Sequence, residues 1–246
     1  MQKQVLLLFS GGLDSTYLLY KNLKEGNKVY CIYMSIKNNR LKPEMEIESL
    51  QSIIKVFEEE FKTKIPLQIN NITIASPGEL LLFKQLPIHV LSIIMSLEYN
   101  FNEVQIGYCM NDDMISYLED LKKLYISYQP FIEKDLPLIT FPLFKISKQM
   151  MLHDLPESVR GLVFSCENPK EHLKPCGDCI PCITYNFLRI KYSLNYIYEQ
   201  YTRLFPVYQI THSHSLSTYM KSKKLTDYEY NVDNDGEEEM SDKEEI

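Results

Sequence analysis

Val5-Leu6-Leu7-Leu8-Phe9-Ser10-Gly11-Gly12-Leu13-Asp14-Ser15-Thr16 is the stretch that decides the fold of this chain. Val5 to Phe9 are consecutive apolar residues, too few for a helix and stopped by glycines, and they predict a strand buried on both faces. Adjacent Gly11 and Gly12 permit a tight turn in which successive backbone N–H groups face one point. From Leu13 the spacing becomes helical, with Leu13, Tyr17, Leu18 and Leu19 on one side. A strand, a glycine turn and a helix N-terminus together form an anion site, because first-turn N–H groups have no partner inside the helix. The anion expected there is phosphate.

The rest of the chain repeats the alternation. Helix 1 is expected to end near Gly26, and Lys28–Ser35, apolar on both faces, reads as a second parallel strand. A helix is predicted over Glu44–Phe61, a strand over Leu67–Ile69, a loop from Ile72 to Gly78, and an apolar helix over Leu86–Tyr99. Glu103–Ile106 is a short strand ending at Gly107. Ile115–Tyr125 is helical by spacing, and Leu138–Phe141 is a last strand. Ser147 is placed to cap a helix over Lys148–Leu155 that Pro156 closes, and Ile183–Leu204 reads as one long helix. Such alternation predicts an α/β fold, a parallel twisted sheet with helices on both faces. Ligands then bind at the carboxyl ends of the strands, which brings Ser10–Ser15, Met34–Ser35 and the segment after Gly107 around one crevice. Met34 is expected at the edge of that crevice.

The 246 residues predict a single domain over 1–220 and an acidic, disordered tail over 221–246. Residues 226–246 carry a net charge of −9 against −7 for the whole chain, so the remainder stands at +2. A nearly neutral body argues against an extended nucleic-acid surface. With no secretory signal and no twenty-residue apolar run, the chain reads as cytoplasmic, with no membrane span.

Four of the six cysteines, Cys166, Cys176, Cys179 and Cys182, form C-x9-C-x2-C-x2-C. The C-x2-C spacing lets two thiolates face one ion, with Gly177 relieving the turn, and four thiolates suit a closed, structural Zn²⁺ site. An Fe–S cluster takes the same ligand set, and His172 in the nine-residue gap is an alternative ligand. Cys31 is expected in the core, and for Cys109, just past Gly107, a place facing the crevice is the lesser of its readings.

The loop itself lacks the lysine of a Walker motif and the spaced glycines of a dinucleotide fingerprint. Ser-Gly-Gly-Leu-Asp-Ser-Thr resembles the pyrophosphate loop of the PP-loop ATP pyrophosphatases, adenine nucleotide alpha hydrolase-like enzymes that split ATP into AMP and pyrophosphate. Combined with Cys176-Gly-Asp-Cys-Ile-Pro-Cys182, it is similar to the 7-cyano-7-deazaguanine synthase family. Ile106-Gly107 with Asp113 and Tyr117, Pro142-Leu143 with Ile146-Ser147-Lys148, and Ser165-Cys166 also resemble motifs of that family.

That resemblance implies an ATP-dependent carbon–nitrogen ligase that adenylates the carboxylate of 7-carboxy-7-deazaguanine, forms an amide with ammonia, and dehydrates it to the nitrile with a second ATP. It implies that Ser10, Gly11, Gly12, Leu13, Asp14, Ser15, Thr16, Met34 and Gly107 bind ATP with Mg²⁺, and that Asp14, Ser15 and Lys148 are catalytic. Asp113 and Tyr117 would meet the substrate, and the chain would act as a homodimer. Two segments depart from the family. Leu86-Pro87-Ile88-His89-Val90 stands where Val-Pro-x-Arg-Asn is usual, and Tyr117-Leu118-Glu119-Asp120-Leu121 where Tyr-Pro-Asp-Cys-Arg is usual. The ATP half is kept and the substrate half is altered. Three readings follow: the nitrile synthase, a divergent ligase that stops at an amide with an amine on a protein or other acceptor, and a nucleotide-binding protein without turnover.

Overall fold

A computed structural model describes residues 2–37, 42–73, 82–97, 100–109, 112–169 and 174–189. The chain divides into two units, Met1–Tyr185 and Asn186–Ile246. The second unit lies almost wholly outside the described residues, as do the acidic tail, His172 and the far end of the long helix expected to Leu204.

In the first unit, β1 (Gln4–Leu8), β2 (Lys28–Lys37), β3 (Leu67–Thr73), β4 (Glu103–Ile106) and β5 (Leu138–Thr140) form one sheet in the order β3-β2-β1-β4-β5. Every pairing is parallel. The chain moves outward from β1 to β3, then crosses to β4 on the other side. The reversal between β1 and β4 opens a crevice beyond their carboxyl ends, the place where open parallel sheets take ligands.

Helices cover both faces, as the alternation predicts. The sheet residues Leu6, Ile32, Val104, Ile106 and Ile139 pack against α3 (Leu82–Met95) and α4 (Leu118–Ile126), which supply Val90, Ile93, Leu121 and Tyr125. Val5 and Leu7 alternate to the opposite face, where α1 (Leu13–Lys24) and α2 (Lys42–Phe61) lie. Leu50, Ile53 and Phe57 are buried along one stripe of α2. Gly26, with φ +74°, follows the end of α1, a conformation that glycine adopts without strain.

Several boundaries differ from the sequence reading: β2 runs on to Lys37, α2 starts at Lys42 and α7 (Ile180–Arg189) starts at Ile180, and three further differences bear on the site. β3 continues through Asn70 and Asn71 to Thr73, where the composition predicts a loop from Ile72. Asn70 Nδ2 donates to Ser92 Oγ at 2.7 Å and Ser96 Oγ at 3.1 Å, so a polar strand residue is satisfied by α3 and the segment just beyond it. α3 begins at Leu82 and carries Pro87 inside it rather than at its start. The segment after Gly107 begins as a 3-10 turn, Asp113–Tyr117, before α4 takes over. Among the described residues, α5 (Lys148–Asp154), α6 (Glu157–Arg160) and α7 (Ile180–Arg189) follow. Ser147 caps α5 as expected, its hydroxyl accepting from Met150 N–H at 3.3 Å. Among the described residues, no helix is long and apolar enough to cross a membrane.

Candidate phosphate loop and cysteine site

The glycine turn sits at the β1–β4 reversal. Phe9 and Ser10 leave β1, Gly11 adopts φ +73°, and Gly12 caps α1 without a side chain of its own. Ser15 Oγ lies 3.2 Å from the Gly12 carbonyl and 3.3 Å from Ser10 Oγ, while accepting from Ser10 N–H at 3.2 Å. These bonds tie the turn to the first turn of α1. Gly107, the residue after β4, closes the other wall. A Cβ there would stand 3.2 Å from Asp14 C and Ser15 N, so only glycine lets β4 approach the first turn this closely.

Gly11 is the most constrained position. A Cβ would meet Ser49 Oγ at 2.8 Å and Leu50 N at 3.0 Å, in a backbone conformation already strained for any L side chain. Gly11→Ala should therefore cost about 2–4 kcal/mol, from left-handed strain plus crowding against the α2 backbone. Urea unfolding measures this, and an unchanged midpoint would contradict the constraint.

Asp14 and Lys148, far apart in the sequence, meet here. Lys148 Nζ, in the first turn of α5, is 3.2 Å from Asp14 Oδ2 in the first turn of α1. The Asp14 carboxylate raises the Lys148 pKa above its ordinary value, overriding burial, with Cys109 and Asp112 adding to the effect. The ammonium is therefore secure at neutral pH. Asp14 Oδ1 is buried and has no hydrogen-bond partner among the described residues. A lysine cation, a partly satisfied carboxylate and an array of N–H groups at one helix end form a site prepared for a polyanion and its counter-cation.

The other sequence candidates are spread more widely. Leu13 and Thr16 are buried in α1, so only their backbone is presented to the crevice. Met34 is 6 % exposed within β2, near the carboxyl end of the sheet. Tyr117 ends the 3-10 turn with its ring exposed, and the side chain of Asp113 lies outside the described residues. Cys31 is a core residue of β2. Cys109 is buried too, within the electrostatic reach of Lys148. His89 is held neutral, its pKa pushed down to about 4 by burial and by the Lys42 charge.

The four loop cysteines do converge. Cys166, Cys176, Cys179 and Cys182 place their sulfurs within 4.8 Å of one another. Individual separations are 3.5 Å for Cys166–Cys176, 3.9 Å for Cys176–Cys182 and 4.0 Å for Cys166–Cys179. Four sulfurs bound tetrahedrally to one ion at the Zn–S distance stand about 3.8 Å apart, so the donor set fits a single metal ion. Cys176 N–H points at Cys166 Sγ (3.2 Å) and Cys179 N–H at Cys176 Sγ (3.3 Å), so backbone donors orient both sulfurs. Gly177, at φ +83°, makes the turn between them. The cluster packs on Phe164 and on Met45 of α2. Lys42, also on α2, pairs with Glu167 at 2.6 Å and with Glu46 at 3.7 Å.

Sequence reasoning missed Ser49 and gave Ser165 no role beyond a motif. Ser49 Oγ lies 3.2 Å from the Gly11 carbonyl and 2.7 Å from that of Leu162. Ser165 Oγ accepts from Leu13 N–H at 3.4 Å. Nothing in the sequence marks Ser49, and the Ser165-Cys166 motif does not reveal what the Ser165 hydroxyl meets, because each contact joins elements that are distant along the chain.

Comparison with known proteins gives a family model over the N-terminal third and structural likenesses over most of the chain. No curated protein gives a match. Among solved structures, the U34-tRNA thiolase NcsA from Methanococcus maripaludis with its [4Fe-4S] cluster is similar at 19 % identity and a TM-score of 0.42, over 82 % of this chain and 72 % of that one. NMN synthetase from Francisella tularensis is similar at 15 % identity and a TM-score of 0.41, over 84 % of this chain and 85 % of that one. Residues 1–78, which hold β1, the glycine turn, α1, β2, α2 and β3, match the family model of the thiamine biosynthesis protein ThiI.

Proposed function

We propose that this chain is an ATP-dependent ligase of the PP-loop type, which adenylates a 7-deazaguanine carboxylate and releases pyrophosphate on the way to an amide and then a nitrile. The observation that carries the reading is the Asp14–Lys148 pair at 3.2 Å beside the glycine turn. A carboxylate is a poor electrophile because its leaving group would be oxide. Attack of its oxygen on the α-phosphorus of ATP breaks the bond to the β-phosphate bridge and makes an acyl-AMP, whose leaving group is good. Charge then develops on departing pyrophosphate. The N–H groups of Gly12 to Ser15 and the Lys148 ammonium are fixed beforehand where that charge appears, which is how such sites lower barriers. Mg²⁺, when bound, neutralises phosphate charge, and Asp14 is the carboxylate placed to hold it.

The four cysteines are read as a structural Zn²⁺ site. Four thiolates leave no coordination position for water or substrate. A 4Fe–4S cluster spreads its thiolates over four irons, one on each, and so needs a wider sulfur set than a single ion does.

One observation favours the reading in which the reaction stops at the amide. His89 and Val90 stand where the resembling family has arginine and asparagine. His89 stays neutral, and Val90 is fully buried in the core. Neither supplies the guanidinium or side-chain amide that this pocket segment carries in the family, and the second, nitrile-forming activation is the step this loss bears on. Incubation with Mg-ATP, 7-carboxy-7-deazaguanine and ammonia, followed by mass spectrometry, separates the two. The nitrile supports the full reaction, and an amide that accumulates with no nitrile supports the shorter one. An unchanged carboxylate with no pyrophosphate, with ammonia or any other amine supplied, would overturn both.

A further inference from the structure

The cysteine loop and the phosphate loop share one short run of backbone. Phe164 N–H donates to the Gly11 carbonyl at 3.0 Å. Ser165 Oγ accepts from Leu13 N–H at 3.4 Å. Cys166, the next residue, is the first sulfur of the metal-ligand set and is 1 % exposed. Three successive residues thus clamp the glycine turn, meet the first N–H of α1, and supply a metal ligand. A Cβ built on Gly12 would lie 3.5 Å from Ser165 Oγ, so the hydroxyl lines the turn itself and not only its flank. Ser49 of α2 fastens the same run from the other side through Leu162.

The Leu13 N–H is one of the donors that a phosphate oxygen would take at this helix end. A hydroxyl that accepts from it still has its own proton to donate. When an anionic oxygen arrives, that proton can turn toward it, and a hydrogen bond to an anion is stronger than one between neutral groups. The hydroxyl therefore holds the N–H in place before the anion arrives and becomes a ligand once it has. Its position is set by Cys166, one peptide unit away, whose sulfur cannot move once four sulfurs close on one ion.

The geometry points to Ser165 as a phosphate-contacting residue of the ATP site, positioned by a metal ion on Cys166, Cys176, Cys179 and Cys182. This rests on the reading of Ser10–Thr16 as the ATP loop. The metal thereby gains a second role, since the ion sets the affinity of a loop more than a hundred residues away in sequence.

The test uses the full chain loaded with Zn²⁺, comparing wild type with Ser165→Ala and Ser165→Thr. Calorimetric titrations with Mg-ATP, with pyrophosphate and with adenosine are read beside the zinc content per chain. Ser165→Ala should bind ATP and pyrophosphate roughly tenfold more weakly, as expected for one lost bond to a charged group. Adenosine affinity and zinc content should not change, and Ser165→Thr should restore the ATP affinity. If Ser165→Ala binds ATP as wild type does, the inference is overturned while the ATP reading stands. Equal weakening toward adenosine, or loss of zinc, overturns it too, because Ser165 would then be only structural. A wild-type chain that binds neither ATP nor pyrophosphate overturns the ATP reading and the inference together.

Discussion

Lys148→Ala is expected to slow substrate-dependent pyrophosphate release by roughly 10²–10³-fold, the usual effect of removing one fixed group that stabilises developing charge. The Lys148 ammonium is held near the turn by Asp14 at 3.2 Å, with its pKa raised mainly by that carboxylate. Because the folded pKa lies above the ordinary lysine value, the pair contributes throughout the neutral range. It is lost only as the pH climbs through that raised value. The same substitution takes the Lys148 counter-charge from Asp14, whose Oδ1 already has no hydrogen-bond partner among the described residues. A stability cost of about 1–3 kcal/mol should accompany the kinetic loss. Lys148→Arg keeps the charge and should recover part of the rate. A coupled pyrophosphate assay measures both variants, and a Lys148→Ala rate close to wild type would remove Lys148 from the site.

The second large effect concerns the cysteine loop. Cys176→Ser should abolish stoichiometric Zn²⁺ binding and lower the thermal midpoint by roughly 10 °C, a loss of several kcal/mol for a chain of this size. The cause is local. Cys166, Cys176 and Cys182 form a small core with Met45 and Phe164, so without the ion this core must bury unpaired thiols. The loss should spread to the phosphate loop, because Phe164 and Ser165 bond to Gly11 and Leu13. A chelator should produce the same change in the wild-type chain. Cys31→Ser is the control, since Cys31 belongs to β2, and its zinc content should match that of wild type. Full metal content and an unchanged midpoint in Cys176→Ser would show that the cluster is not a metal site.

Local patterns with a physical period are legible in the amino-acid sequence. The apolar run Val5–Phe9, the two glycines and the helical spacing from Leu13 are found as a strand, a turn and a helix at the sheet's reversal point. The C-x2-C spacings correspond to sulfurs that do converge. Polar contacts across the fold are harder to read. Asn70 is polar by composition and suggests a strand end, yet Ser92 and Ser96 satisfy it within β3. Asn22 of α1 donates to Gln105 of β4 at 2.7 Å, a buried bridge that no hydropathy pattern signals. Pro87 suggests a helix start because proline is favoured at the first helical position, but a preceding turn extends α3 to Leu82. Ser49 and Ser165 are as hard to find as the partners of Asn70. Their role depends on which distant carbonyl or N–H the fold brings to them.

On the proposed reading, ATP is cut between its α- and β-phosphates at the Ser10–Thr16 turn. Phosphorus NMR of the full chain with Mg-ATP and 7-carboxy-7-deazaguanine tests this most directly. AMP and pyrophosphate should appear together in equal amounts, only when the carboxylate is present, and Lys148→Ala should suppress both. Formation of ADP and phosphate instead, or ATP left intact with the carboxylate and an amine supplied, would contradict it.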